Sequence, residues 1–244
     1  MTQAAPTCLI TRPEPDGSRF AARLRDHTGL ETVLSPLMAV KTLPVSIQMD
    51  SFATVILTSP AAARCLETLG IPKKRHCLCV GDKTAQTARA AGYTAVSAGG
   101  TARELTTLLT WDPGRAPYLY LRGADTTGDI CATLTAQGLE CVEVIVYKQE
   151  KQDFTAAATA LLSGSRPVVL PLFSPRSARI AAPLAAASAF VHPVAISPAV
   201  AAAWPADAPR AATVAQAPTE DAVLEAIYRL PVVKPWVEMP RLQS

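Results

Sequence analysis

Val55-Ile56-Leu57-Thr58-Ser59-Pro60 leads into the Ala-rich stretch Ala61 to Leu69, and the pattern returns as Val169-Leu170-Pro171-Leu172-Phe173-Ser174-Pro175 with another Ala-rich stretch behind it. Each copy reads as a buried strand of short apolar residues, then a Ser placed to cap a helix and a Pro suited to its first turn. A strand that runs directly into a helix is the opening half of a crossover unit, which predicts parallel sheets covered by helices.

The neighbouring units repeat with nearly the same offset. Leu9-Ile10-Thr11-Arg12, a helix over Ser18 to Thr28 and Gly29 are echoed by Leu119-Tyr120-Leu121-Arg122, a helix and Gly138. Val80-Gly81-Asp82-Lys83-Thr84-Ala85 aligns with Ile196-Ser197-Pro198-Ala199-Val200-Ala201, and Thr101 aligns with Thr219. Steady spacing across four units indicates duplication of a whole lobe, since solenoid repeats are far shorter. The fold class is therefore α/β, with two similar lobes, each a parallel sheet flanked by helices. In such sheets the loops at the carboxyl ends of the strands bind ligands, and helix starts there offer unpaired N–H groups to anions.

Composition limits what the protein can do. Of the 244 residues 49% are hydrophobic and 18% charged, enough apolar material for packed cores. The net charge of +3 is spread without a Lys/Arg block, so nucleic acid is not an expected partner. Met1 to Gly17 lacks a basic segment followed by an apolar run, so no secretory signal is expected. Ile180 to Trp204 is uncharged, but Pro183, Pro193 and Pro198 interrupt it; it reads as helix, turn, strand and helix rather than a membrane span. Cys8, Cys65, Cys77, Cys79, Cys131 and Cys141 lie in or beside apolar segments without a secreted disulfide spacing, and all six are expected to be reduced, buried thiols of a cytoplasmic protein.

Nucleotide-binding and hydrolase signatures are absent. Cys77 and Cys79 beside His76 lack a second ligand pair, so no metal is expected. His27, His76 and His192 are scattered and fit surface or strand-end roles. Ser59 and Ser174 are helix caps whose recurrence at corresponding places also fits ligand loops, and Thr84 is a first-turn residue of the same kind. Arg12 and Arg122 follow strand ends; each suits either a ligand carboxylate or a surface ion pair. Tyr147 closes the β-rich run Cys141 to Val146. Pro231 to Trp236 is too proline-rich to continue a helix and reads as a tail, 231–244.

Taken in order, the loops resemble those of the uroporphyrinogen-III synthase family. The matching segments are Thr11-Arg12-Pro13, Ser35-Pro36-Leu37, Thr58-Ser59-Pro60, Val80-Gly81 with Thr84-Ala85, Leu121-Arg122-Gly123, Val146-Tyr147, Phe173-Ser174-Pro175, Ala195-Ile196-Ser197 and Ala217-Pro218-Thr219. The resemblance implies two lobes joined by a two-stranded antiparallel linker near Val33 to Val40 and Val142 to Lys148. One lobe would be discontinuous, 1–36 plus 150–230, and the other would span 39–147.

The activity it implies is cyclisation of hydroxymethylbilane to uroporphyrinogen III, with inversion of the last pyrrole ring and loss of water, by a monomer without cofactors. Tyr147 matches the tyrosine that assists departure of the hydroxyl. Arg12, Ser59, Gly81, Thr84, Arg122, Gly123, Ser174 and Ser197 would bind substrate. Ala61 stands where relatives often carry a basic residue, and Ser197-Pro198-Ala199-Val200 replaces Gly followed by threonines, leaving Ser197 as the local hydroxyl. The alternative is a non-catalytic two-lobed binder of a carboxylated small molecule, or a regulatory module on the same fold.

Overall fold

The computed structural model describes residues 4–48, 51–111, 116–125 and 128–238. In chain order the elements are β1 (Thr7–Ile10), α1 (Asp16–Thr28), β2 (Glu31–Leu34), β3 (Met38–Thr42), β4 (Thr54–Leu57), α2 (Pro60–Cys65), β5 (His76–Cys79), α3 (Asp82–Ala90), β6 (Thr94–Ser97), α4 (Ala102–Trp111) and β7 (Tyr118–Gly123). They continue as α5 (Ile130–Ala136), β8 (Cys141–Lys151), α6 (Ala156–Ser163), β9 (Val168–Leu172), α7 (Pro175–Ala185), β10 (Val191–Ala195), α8 (Pro198–Ala201), β11 (Thr213–Val214), α9 (Glu220–Tyr228) and α10 (Lys234–Glu238). The chain divides into two compact units, Met1–Ala39 with Lys151–Ser244, and Val40–Glu150.

The first unit holds a parallel five-stranded sheet in the order β11-β10-β9-β1-β2. The second holds a six-stranded sheet in the order β3-β8-β7-β4-β5-β6, parallel from β8 to β6. Replacing each strand of the first sheet by its sequence counterpart, β1 by β7, β2 by β8, β9 by β4, β10 by β5 and β11 by β6, reproduces the second sheet apart from β3. The repeat seen along the chain is thus a repeat of topology.

Every residue of β1, β4 and β9 is buried. That is the signature of parallel strands covered on both faces, and it explains why these runs are continuously apolar. In the second unit, α2 and α3 cover one face around Val55, Leu57, Leu119 and Leu121, while Ile56, Tyr118 and Tyr120 pack with Leu105, Leu109 and Leu134 on the other. In the first, Phe20, Leu24, Val223 and Ile227 cover one face and Ala158, Ala178, Ala181 and Trp204 the other. The glycines matched across the repeat, Gly29 and Gly138, both adopt left-handed backbone, at φ 69° and 77°. Gly29 does so as the C-cap of α1, where a side chain would be strained.

Several expectations need correction. Cys131 and Cys141 are disulfide-bonded, because α5 packs beside the first residue of β8 and brings the two Cα atoms to 5.1 Å. Cys8, Cys65, Cys77 and Cys79 are free and buried, as expected. The segment expected in the antiparallel linker is split: Glu31–Leu34 pairs parallel with β1, and only Met38–Thr42 lies beside β8. Ser35-Pro36 separates them, since Pro36 has no N–H with which to continue a ladder. Tyr147 does not close its strand, because β8 runs on to Lys151.

Nor does the chain trail away after Leu230. Val232 and Val233 are 8% and 0% exposed in the core under α1 and α9, and Pro235 stands in the first turn of the short helix α10. Proline stops an earlier helix but suits the start of a new one. Residues 239–244 of the expected tail lie outside the described residues. Ile180 to Trp204 resolves into the end of α7, β10 and α8, and among the described residues no helix is long and apolar enough to cross a membrane.

A chain ended at Leu230 would expose the sites of two buried valines, each worth about 1.5–3 kcal/mol. Its melting temperature should fall well below that of the full chain, whereas an unchanged melting curve would make this segment dispensable.

Candidate functional site

In the second unit, the carboxyl ends of adjacent strands collect most of the residues singled out from the sequence. Sheet order places β8, β7, β4 and β5 side by side, carrying in turn Tyr147, Gly123, Ser59 and the loop of Gly81. Ser59 caps α2: its Oγ accepts the Ala62 N–H at 3.1 Å. The same Oγ lies 2.9 Å from the Tyr147 hydroxyl. Gly81 is the extended N-cap of α3, and Thr84 follows in its first turn, donating its N–H to the Gly81 carbonyl at 3.1 Å. Thr84 is 4% exposed, so it sits beneath this surface rather than on it.

A β-bulge brings Tyr147 into place. Between β7 and β8, Arg122 pairs with Ile145 but Gly123 pairs with Tyr147, leaving Val146 as an extra residue. Val146 and Tyr147 are consequently both buried in the α2/α3 core, although regular alternation would send them to opposite faces. Tyr147 lies so close over Gly123 that a Cβ there would stand 2.5 Å from Cζ and 2.8 Å from the hydroxyl oxygen. Only glycine leaves room for the ring.

Arg122 is separated from this group. Alternation along β7 gives Leu119, Leu121 and Gly123 to the Tyr147 face and Tyr120 and Arg122 to the other. There Arg122 grips Glu143 of β8 with Nε at 3.0 Å and Nη2 at 2.7 Å. Its guanidinium also donates to the Gly123 carbonyl at 3.1 Å. Nearby, Tyr120 and Thr58 share a hydroxyl contact of 3.2 Å, and burial pushes the Tyr120 phenol up.

The first unit repeats these features on its own strand ends. Ser174 caps α7, accepting the Ser177 N–H at 3.1 Å, and Ser197 caps α8 through a longer contact of 3.4 Å to the Val200 N–H. Arg12, like its counterpart Arg122, is taken by a carboxylate of its own chain. Its Nη1 donates to Glu220 at 2.6 Å, and its guanidinium lies 4.1 Å from the centre of the Phe173 ring. Glu220 and Asp221 open α9, where negative charge is favoured. Arg23 bonds both, and Arg19 reaches Glu220 at 3.6 Å and Asp16 at 2.8 Å. For both arginines, the structure supplies the ion pair that the sequence left as one of two choices.

Sequence reasoning missed Glu143, Glu220, Thr58 and Tyr120, whose partners lie on other strands or helices. No cluster of ligating side chains that could hold a metal occurs among the described residues. Burial pushes the thiols of Cys77 and Cys79 up to about 12 and about 11, which keeps both protonated. Cavities lined by Thr213, Glu225 and Arg229, of about 270 Å³, and by Val96, Arg103 and Leu108, of about 480 Å³, have none of Ser59, Gly81, Thr84, Gly123, Tyr147, Ser174 and Ser197 in their lining.

The sequence pattern of the family described as uroporphyrinogen-III synthase HemD matches residues 18–225, most of the chain. The chain belongs to the uroporphyrinogen-III synthase family. The matched span includes every candidate except Arg12. Uroporphyrinogen-III synthetase from Helicobacter pylori 26695 superposes with a TM-score of 0.64 at 17% identity, over 91% of this chain and 97% of that one, a likeness of fold. A mutant uroporphyrinogen III synthase from the extremely thermophilic bacterium Thermus thermophilus gives a TM-score of 0.48 at 16% identity, over 95% and 100% of the two chains. Among curated protein sequences, none matches significantly.

Burial pushes the Glu220 carboxyl up, but the hydrogen bonds and charges of Arg12, Arg19 and Arg23 outweigh it and hold the group below its ordinary value. The stability it contributes is complete above the unfolded-state value of about 4.3 and is lost as pH falls through the lower folded value. Glu220→Gln should cost about 1.5–3 kcal/mol at neutral pH, as expected for hydrogen bonds to charged groups. It should also flatten the loss of stability as pH falls below about 5 in thermal melts.

Proposed function

We propose that this chain is the cyclase that converts hydroxymethylbilane into uroporphyrinogen III. Membership of the family supports the activity, and one observation supports the chemistry: the Tyr147 hydroxyl lies 2.9 Å from Ser59 Oγ, at the carboxyl ends of β4 and β7. The reaction needs a proton on the departing hydroxyl. Tyr147 gives it, water leaves, and the resulting azafulvenium is attacked by the substituted carbon of the last pyrrole. The spiro intermediate fragments and recloses with that ring inverted; loss of a ring proton restores the phenol. The net change is loss of one water, a lyase reaction.

Because Arg12 and Arg122 are bound to carboxylates of the chain, the acetate and propionate arms are assigned instead to backbone N–H groups at helix starts within each unit, α3 behind Gly81 in one, and α7 and α8 behind Ser174 and Ser197 in the other. Such donors suit many dispersed carboxylates. Holding the linear tetrapyrrole in the inverting conformation is the larger task, since the unguided reaction gives isomer I.

In this reading the two passages of the chain between its units, Met38–Thr42 and Cys141–Lys151, form the antiparallel linker of the family. Hydrogen bonds from Leu43 N–H to the Val146 carbonyl and from Gln152 N–H to the Leu37 carbonyl support that pairing. The enzyme works as a cytoplasmic monomer on its small-molecule substrate, without metal, organic cofactor, nucleic acid or membrane.

Purified protein supplied with hydroxymethylbilane should divert product from isomer I to isomer III, read by oxidising the products and separating the isomers. Binding without diversion would favour the non-catalytic binder. Tyr147→Phe should slow isomer III formation about a hundredfold, the low end of general acid catalysis, while melting normally. Near-normal turnover in the folded variant would remove Tyr147 from the chemistry.

A further inference from the structure

Ser59 stands at the edge of a candidate ligand loop, yet its hydroxyl is engaged within the chain. A serine hydroxyl has one hydrogen to donate and two lone pairs to accept with. One lone pair takes the Ala62 N–H. Two arrangements of the contact to Tyr147 remain. If the phenol donated to Ser59, its proton would be tied up where the reaction needs it. If Ser59 donates to the phenol oxygen, the phenol proton is free to turn outward, and Ser59 stabilises the oxygen that is left behind.

The second arrangement has an energetic consequence. As Tyr147 gives up its proton, negative charge gathers on its oxygen, and a hydrogen bond to a charged acceptor is roughly twice as strong as one to a neutral acceptor. A contact that tightens only during the reaction raises the rate without tightening substrate binding. Gly123 supplies the other half of the arrangement, since the ring occupies the space a side chain there would fill and the bulge sets Gly123 opposite Tyr147.

We propose that Ser59 and Gly123 are positioning residues for Tyr147, Ser59 as the hydrogen-bond donor to its phenol oxygen and Gly123 as the clearance for its ring, rather than contacts to substrate. The inference rests on the reading of Tyr147 as the proton donor.

The test is a double-mutant cycle on isomer III formation, with melting curves to establish folding. Ser59→Gly removes the hydroxyl and keeps an acceptable helix cap, so the variant should still fold. It should lower kcat about tenfold, the effect of one hydrogen bond that strengthens in the transition state, with KM unchanged. Added to Tyr147→Phe it should cost nothing more, and Ser59→Thr should restore most of the rate. An equal loss in both backgrounds, or a raised KM at constant kcat, would overturn the assignment to Ser59 while leaving Tyr147 in its role. A fully active Tyr147→Phe enzyme would instead remove the reading on which the proposal rests. Gly123→Ala should reproduce the kcat loss of Tyr147→Phe and add nothing to it; a folded Gly123→Ala enzyme with normal kcat would overturn the clearance role.

Discussion

A parallel strand can join its parallel neighbour only through a crossover that returns along the face of the sheet, and in this chain most such crossovers are helices. Both faces are therefore buried, and strand ends that carry loops into helices gather on one edge of each sheet. The continuous apolar strands, the Ala-rich helices and the capping serines follow from this one demand. So does the location of the chemistry, because that edge is where side chains and helix-start N–H groups can face a ligand without breaking the core.

Duplication placed the same parts on two sheets and then let them diverge. Arg12 and Arg122 occupy equivalent strand ends, yet one is held by Glu220 at the start of α9 and the other by Glu143 on β8. Each guanidinium thereby ties two elements together, at the cost of being less available to an external carboxylate. Caps behave differently. A serine that caps a helix satisfies one N–H and leaves neighbouring N–H groups open, so it can serve the fold and still leave donors for a dispersed anion.

Tyr147 acquires its place from a local irregularity. Alternation would send adjacent residues of β8 to opposite faces, but one extra residue lets Val146 and Tyr147 point into the same core. The ring then needs a neighbour without a side chain, which Gly123 of β7 supplies, and its hydroxyl meets Ser59, the cap of the helix that follows β4, one strand further along the sheet. Three short segments far apart in the chain thus define one oxygen's surroundings.

Much of this was legible beforehand because local rules wrote it. Apolar runs, Ser-Pro starts and the recurring offset determined parallel strands, their helices and the duplication, since each depends on neighbours a few residues away. The buried pair Cys77 and Cys79 followed from strand alternation in the same way. The pairing of Cys131 with Cys141, the split between β2 and β3, the buried valines after Leu230 and the carboxylates that hold Arg12 and Arg122 were not legible. Each depends on which distant elements lie side by side. The sequence by itself determined the units and their candidate loops; the tertiary structure alone decided that Tyr147 meets Ser59 and Gly123, because a bulge in one strand and the order of three set that contact.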